Sequence, residues 1–307
     1  MNLKRNMYNK WYLVLLTLVV QSCNWILPGL PPEPTTPTTT LPAYSATPEI
    51  FPVVKNAINE ASGLARSVSM PGNFWVIEDG NNSAALHMIS GKGEYLGNIP
   101  LPLYNRDWED LGTGPGPKDG VNYIYISETG DNQEVYGSYT IVRVEEPKSL
   151  DRDAPVAYET IDFTYPDVSG LDVEAFLIDP LTKDIYLISK RQLFNVRVYR
   201  LKYPYNPTGV NTAEFMGTIR QSFITAADIS ADGKLITLKN EDAIYMWMRK
   251  DGESVFNALS RSRDLGAPYY VEPQGEAISF SNTGYDYYTI SEIANADFVN
   301  FYHYLLK

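Results

Sequence analysis

Cysteine occurs once in these 307 residues, at Cys23, and histidine twice, at His87 and His303. A single cysteine excludes an intramolecular disulfide, and two isolated histidines exclude a zinc centre built from nitrogen and sulfur ligands. Basic residues are also scarce: 25 Lys and Arg face 37 Asp and Glu, a formal net charge of −12. A phosphate backbone requires a basic footprint, so nucleic acid is not an expected partner. The apolar run Trp11–Val20 covers ten residues, too few to span a bilayer as a mature helix. No Gly-x-Ser-x-Gly elbow occurs, and Gly112–Pro117 lacks the Gly-Lys-Ser/Thr ending of a phosphate loop. Thr129–Gln133 has a calcium-loop flavour without the closing bidentate Glu and reads as a tight turn.

The amino terminus has its own pattern. Lys4, Arg5 and Lys10 flank the apolar run, which ends in Val20-Gln21-Ser22-Cys23. This order resembles a bacterial lipoprotein signal, with a small residue before the cysteine that is acylated. Residues 1–23 are expected to be that signal, with a lipid on Cys23 holding the chain at the bacterial cell envelope. An ordinary secretory signal with an incidental cysteine is the alternative. Residues 24–48 interleave prolines with Thr35, Thr36 and Thr38–Thr40, the composition of an extended spacer. Residues 49–307 are rich in Tyr and evenly punctuated by Gly, Pro, Asn and Asp, which suits one large all-β domain.

Five short motifs recur within that domain: Ala61-Ser62-Gly63-Leu64-Ala65, Trp108-Glu109-Asp110-Leu111-Gly112, Val173-Glu174-Ala175-Phe176-Leu177, Ala227-Asp228-Ile229-Ser230 and Gly275-Glu276-Ala277-Ile278-Ser279. They are spaced by 47 to 65 residues, the period of a radial β-repeat. Each precedes a turn and a β-prone run, among them Phe74–Ile77, Tyr123–Ile126, Ile185–Ile188, Leu235–Leu238 and Tyr287–Ile290. Third strands follow, and fourth strands are expected near Leu96–Leu101, Glu159–Phe163, Glu214–Ile219 and Val255–Leu259. The fifth group runs out of chain, so Glu49–Val54 is expected to supply its missing strand. The fold expected is therefore an all-β, five-bladed β-propeller closed by an N-terminal strand. Six blades result if the long 109–174 interval hides a degenerate one.

In such a fold the start of each first strand and the end of each second strand lie at one face. Pooling them predicts a dense polar cap that includes Glu60, Asp79, Asp107, Glu128, Asp172, Lys190, Arg191, Lys239 and Glu292. Strand alternation places Ser62, Glu109, Glu174 and Glu276 in one inward register, with Ala227 and Asp228 as a weaker fourth copy. Several carboxylates in a narrow channel raise one another's pKa or bind a cation, and an oxygen-only set suits calcium. The expected metal ligands are Ser62, Glu109, Glu174, Asp228 and Glu276. The expected ligand-binding residues are Lys190, Arg191, Lys239, Glu128 and Glu292. The bland alternative is that the basic side chains neutralise the cap.

Glu60–Leu64, Val76–Asp79, Trp108–Leu111 and Ile126–Glu128 resemble the repeat of the SdiA-regulated propellers and the related phytase-like propellers. The resemblance implies a secreted, calcium-binding propeller; Ala175 and Ala277 replace the family's glycine. Three functions follow as expectations: a lipid-anchored, monomeric envelope propeller with a central calcium-type cation and a ligand-binding face for a small molecule or glycan; a calcium-dependent hydrolase of phosphate esters, with Lys190, Arg191 and Lys239 on phosphate; or a glycan-binding propeller using surface tyrosines.

Overall fold

A computed structural model describes residues 40–54, 57–293 and 299–307 of the chain. The signal segment, Cys23 and most of the spacer lie outside the described residues.

Five sheets are arranged as the blades of a β-propeller, antiparallel throughout except where Asn211–Thr212 adds a short parallel edge to Tyr158–Thr164 in blade two. Their inner strands are Ala61–Arg66, Trp108–Pro115, Val173–Ile178, Ile224–Ile229 and Gly275–Phe280, in blades one to five. Each inner strand contacts the next, and the fifth contacts the first, which closes the ring. Inner strands are enclosed on both sides, so they read as nearly continuous buried runs rather than alternating ones. Gly63 shows how tightly they approach: a Cβ there would lie 2.7 Å from the Leu111 backbone nitrogen. The expected closure is observed, since Glu49–Pro52 pairs with Asn300–Tyr304 as the outer strand of blade five.

The apolar side chains form five cores, one between each pair of neighbouring blades. Most of the abundant tyrosines are spent there. Tyr139, Tyr165 and Tyr199 lie between blades two and three, with ring centres 5.1 Å and 4.6 Å apart. Edge and tilted aromatic pairs of this kind add to plain area burial. Tyr44 is buried against Tyr287, at 4.8 Å between ring centres, and bridges Leu306. The compact unit accordingly begins at Leu41, so the last residues of the expected spacer belong to the propeller's edge.

Blade four departs from expectation in one element. Val255–Ser260 is a helix, not a strand, capped by Ser254, whose Oγ accepts from the Asn257 amide at 3.2 Å. Val255, Ala258 and Leu259 are its buried face, a spacing of three and four residues that a short apolar run shares with a strand. The outer strand is instead Leu265–Ala267, paired with Ile244–Met246.

All five inner strands carry a β-bulge at the same place near their start. Pairing jumps between Ala61 and Gly63, Trp108 and Leu111, Val173 and Ala175, Ile224 and Ala226, and Gly275 and Ala277. A bulge bends the strand and re-aims the unpaired side chain. The bulged residues are Ser62, Glu109 with Asp110, Glu174, Thr225 and Glu276.

Candidate metal centre

The bulges of blades two, three and five collect acids at one mouth of the channel, and those of blades one and four carry none. The structure corrects the sequence alignment there by two residues. Thr225 occupies the bulge, while Ala227 pairs with Leu238 deeper in the strand, level with Phe176 and Ile278. Asp228 lies one place further and is fully engaged. Its Oδ2 is 3.1 Å from Arg66 Nη1 and accepts from the Phe280 amide at 2.8 Å, and its Oδ1 accepts from the Ile229 amide at 2.8 Å. Ser62 is likewise occupied, donating to the Trp108 carbonyl at 2.8 Å. Neither residue joins the acids at the mouth.

Glu109 and Glu174 do come together, and the structure adds Asp79, Asp107 and Asp172. One carboxylate oxygen from each of Asp79, Asp107 and Glu109 lies within 4.8 Å of the others, and the same holds for Glu109, Asp172 and Glu174. Glu109 is common to both groups. Asp107 and Asp172 sit two residues before Glu109 and Glu174, so Asp-x-Glu written twice was the available signal. Asp79 follows the second strand of blade one, Asn73–Glu78, and was expected in the cap but not as a ligand.

This cluster is poorly compensated. The carboxylates of Asp107 and Glu109 accept no hydrogen bond among the described residues, and neither does that of Glu276, an expected ligand that lies at the same mouth but outside both groups. Burial, and then the neighbouring Glu174, Asp79, Asp107 and Asp172, push Glu109 well above the usual carboxylate range. Burial likewise raises Glu174 to about 7, with Lys190 pulling the other way. Glu276 is raised to about 8 by burial and then by Glu174 and Glu292, and Asp107 to about 6 by burial and then by Asp79. Glu292 reaches about 7 by burial and then Asp79, so it belongs to this cap.

The expected basic ligand holders behave differently. Lys190 is ion-paired to Glu174. Arg191 Nε lies 2.6 Å from Asp172 Oδ2, yet that oxygen receives no aligned hydrogen bond. Lys239 is wholly buried; its ammonium donates to the Gly275 and Asn240 carbonyls and sits 4.5 Å above the Tyr269 ring. It pairs with Ala226 one step inside the strand end, where other blades carry Ile77, Ile188 and Ile290, so it faces a core rather than the cap. Glu128 accepts from Trp108 Nε1 at 3.2 Å and lies 3.7 Å from Arg106 Nε. These four residues therefore do not assemble a phosphate cradle.

The donor set fits a hard cation. Its ligands are all carboxylate oxygens, and oxygens around one calcium at about 2.3–2.6 Å lie no more than about 5 Å apart. Both histidines are engaged elsewhere, His87 3.4 Å from Glu78 and His303 3.0 Å from Glu49. Gly130 walls the cluster: a side chain there would collide with Glu109 and Asp107. Gly130→Ala is therefore expected to abolish any calcium response while leaving the far-ultraviolet circular dichroism of the sheet unchanged. A recess of about 360 Å³ opens beside the cluster, lined by Asp107, Asn81, Arg106, Asn132 and the exposed Tyr104 and Tyr136.

No family model matches the chain, and no curated protein does. Solved structures do match. The PQQ-bound aldose sugar dehydrogenase of Streptomyces coelicolor is 11% identical with a TM-score of 0.46, over 86% of this chain and 100% of that one. The Dos1 propeller is 12% identical with a TM-score of 0.37, over 80% of this chain and 67% of that one. The likeness is one of architecture.

Proposed function

We propose that this chain is a lipid-anchored cell-envelope propeller that holds a calcium-type cation at its acidic mouth and presents it to a ligand in the adjoining recess. The observation that carries the reading is the buried carboxylate cluster centred on Glu109, which holds more acids than Lys190 and Arg191 beside it can offset. Burying several carboxylates together is unfavourable unless they are protonated or share a cation. Asp79, Asp107, Glu109, Asp172 and Glu174 would hold it, with Lys190 and Arg191 balancing the excess charge. Asp107 is shared with the recess, so a hydroxyl or carbonyl oxygen of a small molecule or glycan lying between Tyr104 and Tyr136 would reach the cation's open side. The Lys4–Cys23 pattern supports anchoring through a lipid on Cys23.

Titration calorimetry of calcium into the full chain tests the reading. Saturable binding is expected, weakened at least about tenfold in Glu109→Gln, because one charged ligand is lost from a shared position. Equal binding by the variant, or none by either chain, would sink the proposal. Moving Cys23→Ala from the membrane to the soluble fraction of expressing cells is the corresponding test of the anchor.

A further inference from the structure

At the far mouth of the propeller the turns that follow the five inner strands enclose an axial cavity of about 440 Å³. Arg66 lines it from blade one, Thr113 and Asn122 from blade two, Pro180 from blade three, Ala231 from blade four and Asn282 from blade five. The cavity is thus built by the whole ring rather than by one loop. Arg66 forms its floor. The side chain crosses the channel from blade one to the non-adjacent blade four, where Nη1 meets Asp228 at 3.1 Å and the Ile229 carbonyl at 3.3 Å. Arg66 and Asp228 both lie further along their inner strands than the bulges that carry the acids.

Three observations define what would enter. Arg66 is 5% exposed, yet its Nη2 makes no hydrogen bond within the described residues. Among the described residues it is the only charged one of the eleven that line the cavity, in a chain of formal net charge −12. The remaining walls are largely apolar, with Val68, Pro115, Pro180 and Ala231. A concave, mainly apolar space with a few convergent polar groups is the usual form of a small-molecule site. A desolvated guanidinium with a spare donor selects a carboxylate. Asp228 holds the guanidinium in place without entering the lining.

We infer that this mouth is a second binding site, for a small organic monocarboxylate whose carboxylate meets Arg66 and whose hydrocarbon body lies against Val68 and the prolines. The amide of Asn122 and the hydroxyl of Thr283 are within the same lining and supply further donors. The site is independent of the cation at the opposite mouth.

Benzoate serves as the probe, with benzamide as its neutral isostere, in ligand-observed NMR or calorimetry on the full chain. Benzoate is expected to bind at least about tenfold more tightly than benzamide, the margin of one charge-assisted hydrogen bond. Chelation of divalent cations is expected to leave this binding unchanged. Arg66→Met alone strands Asp228 as a buried charge, so the double variant Arg66→Met, Asp228→Asn removes both charges together and is expected to lose benzoate binding. Ala231→Phe, at an exposed turn position, is expected to fill the cavity and block binding without disturbing the fold. Absence of benzoate binding, equal binding of benzamide, or undiminished binding by either variant would overturn the assignment.

Discussion

Removing calcium from the full chain is expected to lower its melting temperature by roughly 5–10 °C near pH 8 and by far less near pH 5. A cation at a hundredfold excess over its Kd stabilises by about 2.7 kcal/mol, and a chain of this size shifts by about 2–4 °C per kcal/mol. The pH dependence follows from the raised carboxyls. Without a cation, Asp107, Glu174, Glu276 and Glu292 hold protons in the folded state up to about 6, 7, 8 and 7, whereas the unfolded chain releases them in the ordinary carboxylate range. The folded state binds more protons, so its stability falls as pH rises through that window. A bound cation takes the place of the protons on its own ligands, Asp107 and Glu174 among these four, and so reduces the fall. Glu272 is raised to about 7 by burial, partly offset by Lys239, but stands outside the clustered acids. Its slope persists with calcium present, so the informative quantity is the difference between calorimetric curves recorded with and without calcium. A difference that is flat with pH, or absent, would contradict the cation centre.

Asp110→Ala is expected to abolish cooperative folding or lower the melting temperature by more than about 10 °C. Asp110 is wholly buried one residue from Glu109, yet its role is unrelated to the cap. Oδ1 accepts from the Leu111 amide at 2.8 Å, and Oδ2 accepts from Phe176 and Ala227 at 3.1 and 3.3 Å. One carboxyl thus ties the inner strands of blades two, three and four. Alanine would strand three buried N–H groups at about 1–3 kcal/mol each, against a total stability of about 5–15 kcal/mol. Asp107→Asn provides the contrast. It removes one of several crowded charges, so in calcium-free buffer it is expected to leave the melting temperature unchanged or raise it. Thermal melts of the two variants side by side would expose an error if both fell equally.

These neighbouring acids show how far the sequence carries. Glu109 and Glu174 were legible as inward acids because the repeat places them just ahead of a strongly β-prone run. Asp228 looked like their relative because Ala227-Asp228-Ile229 resembles Glu109-Asp110-Leu111, and a bulge leaves no mark in composition. The pairing of Ile224 with Asn240 and of Ala226 with Lys239 makes Thr225 the true counterpart. Lys239 misled for a related reason. It stands one residue inside the strand end, and that single step turns it from the cap to a core. Val255–Ser260 was ambiguous because six residues satisfy helix and strand patterns alike.

By itself, the sequence determined the all-β class, a ring of five blades with six as the alternative, and closure by the segment Glu49–Val54. Each rests on local β-propensity and on a repeat that strand pairing must satisfy. It also placed the acids at one mouth, since strand direction follows from strand order. Only the tertiary structure decided which acids of the cap meet, that Asp79 comes within reach of Glu109, and that Arg66 crosses the channel to Asp228 and lines a second cavity. Those outcomes depend on side chains from blades far apart in the chain and on a one-residue bulge in each inner strand. Neither leaves a periodic trace in the sequence.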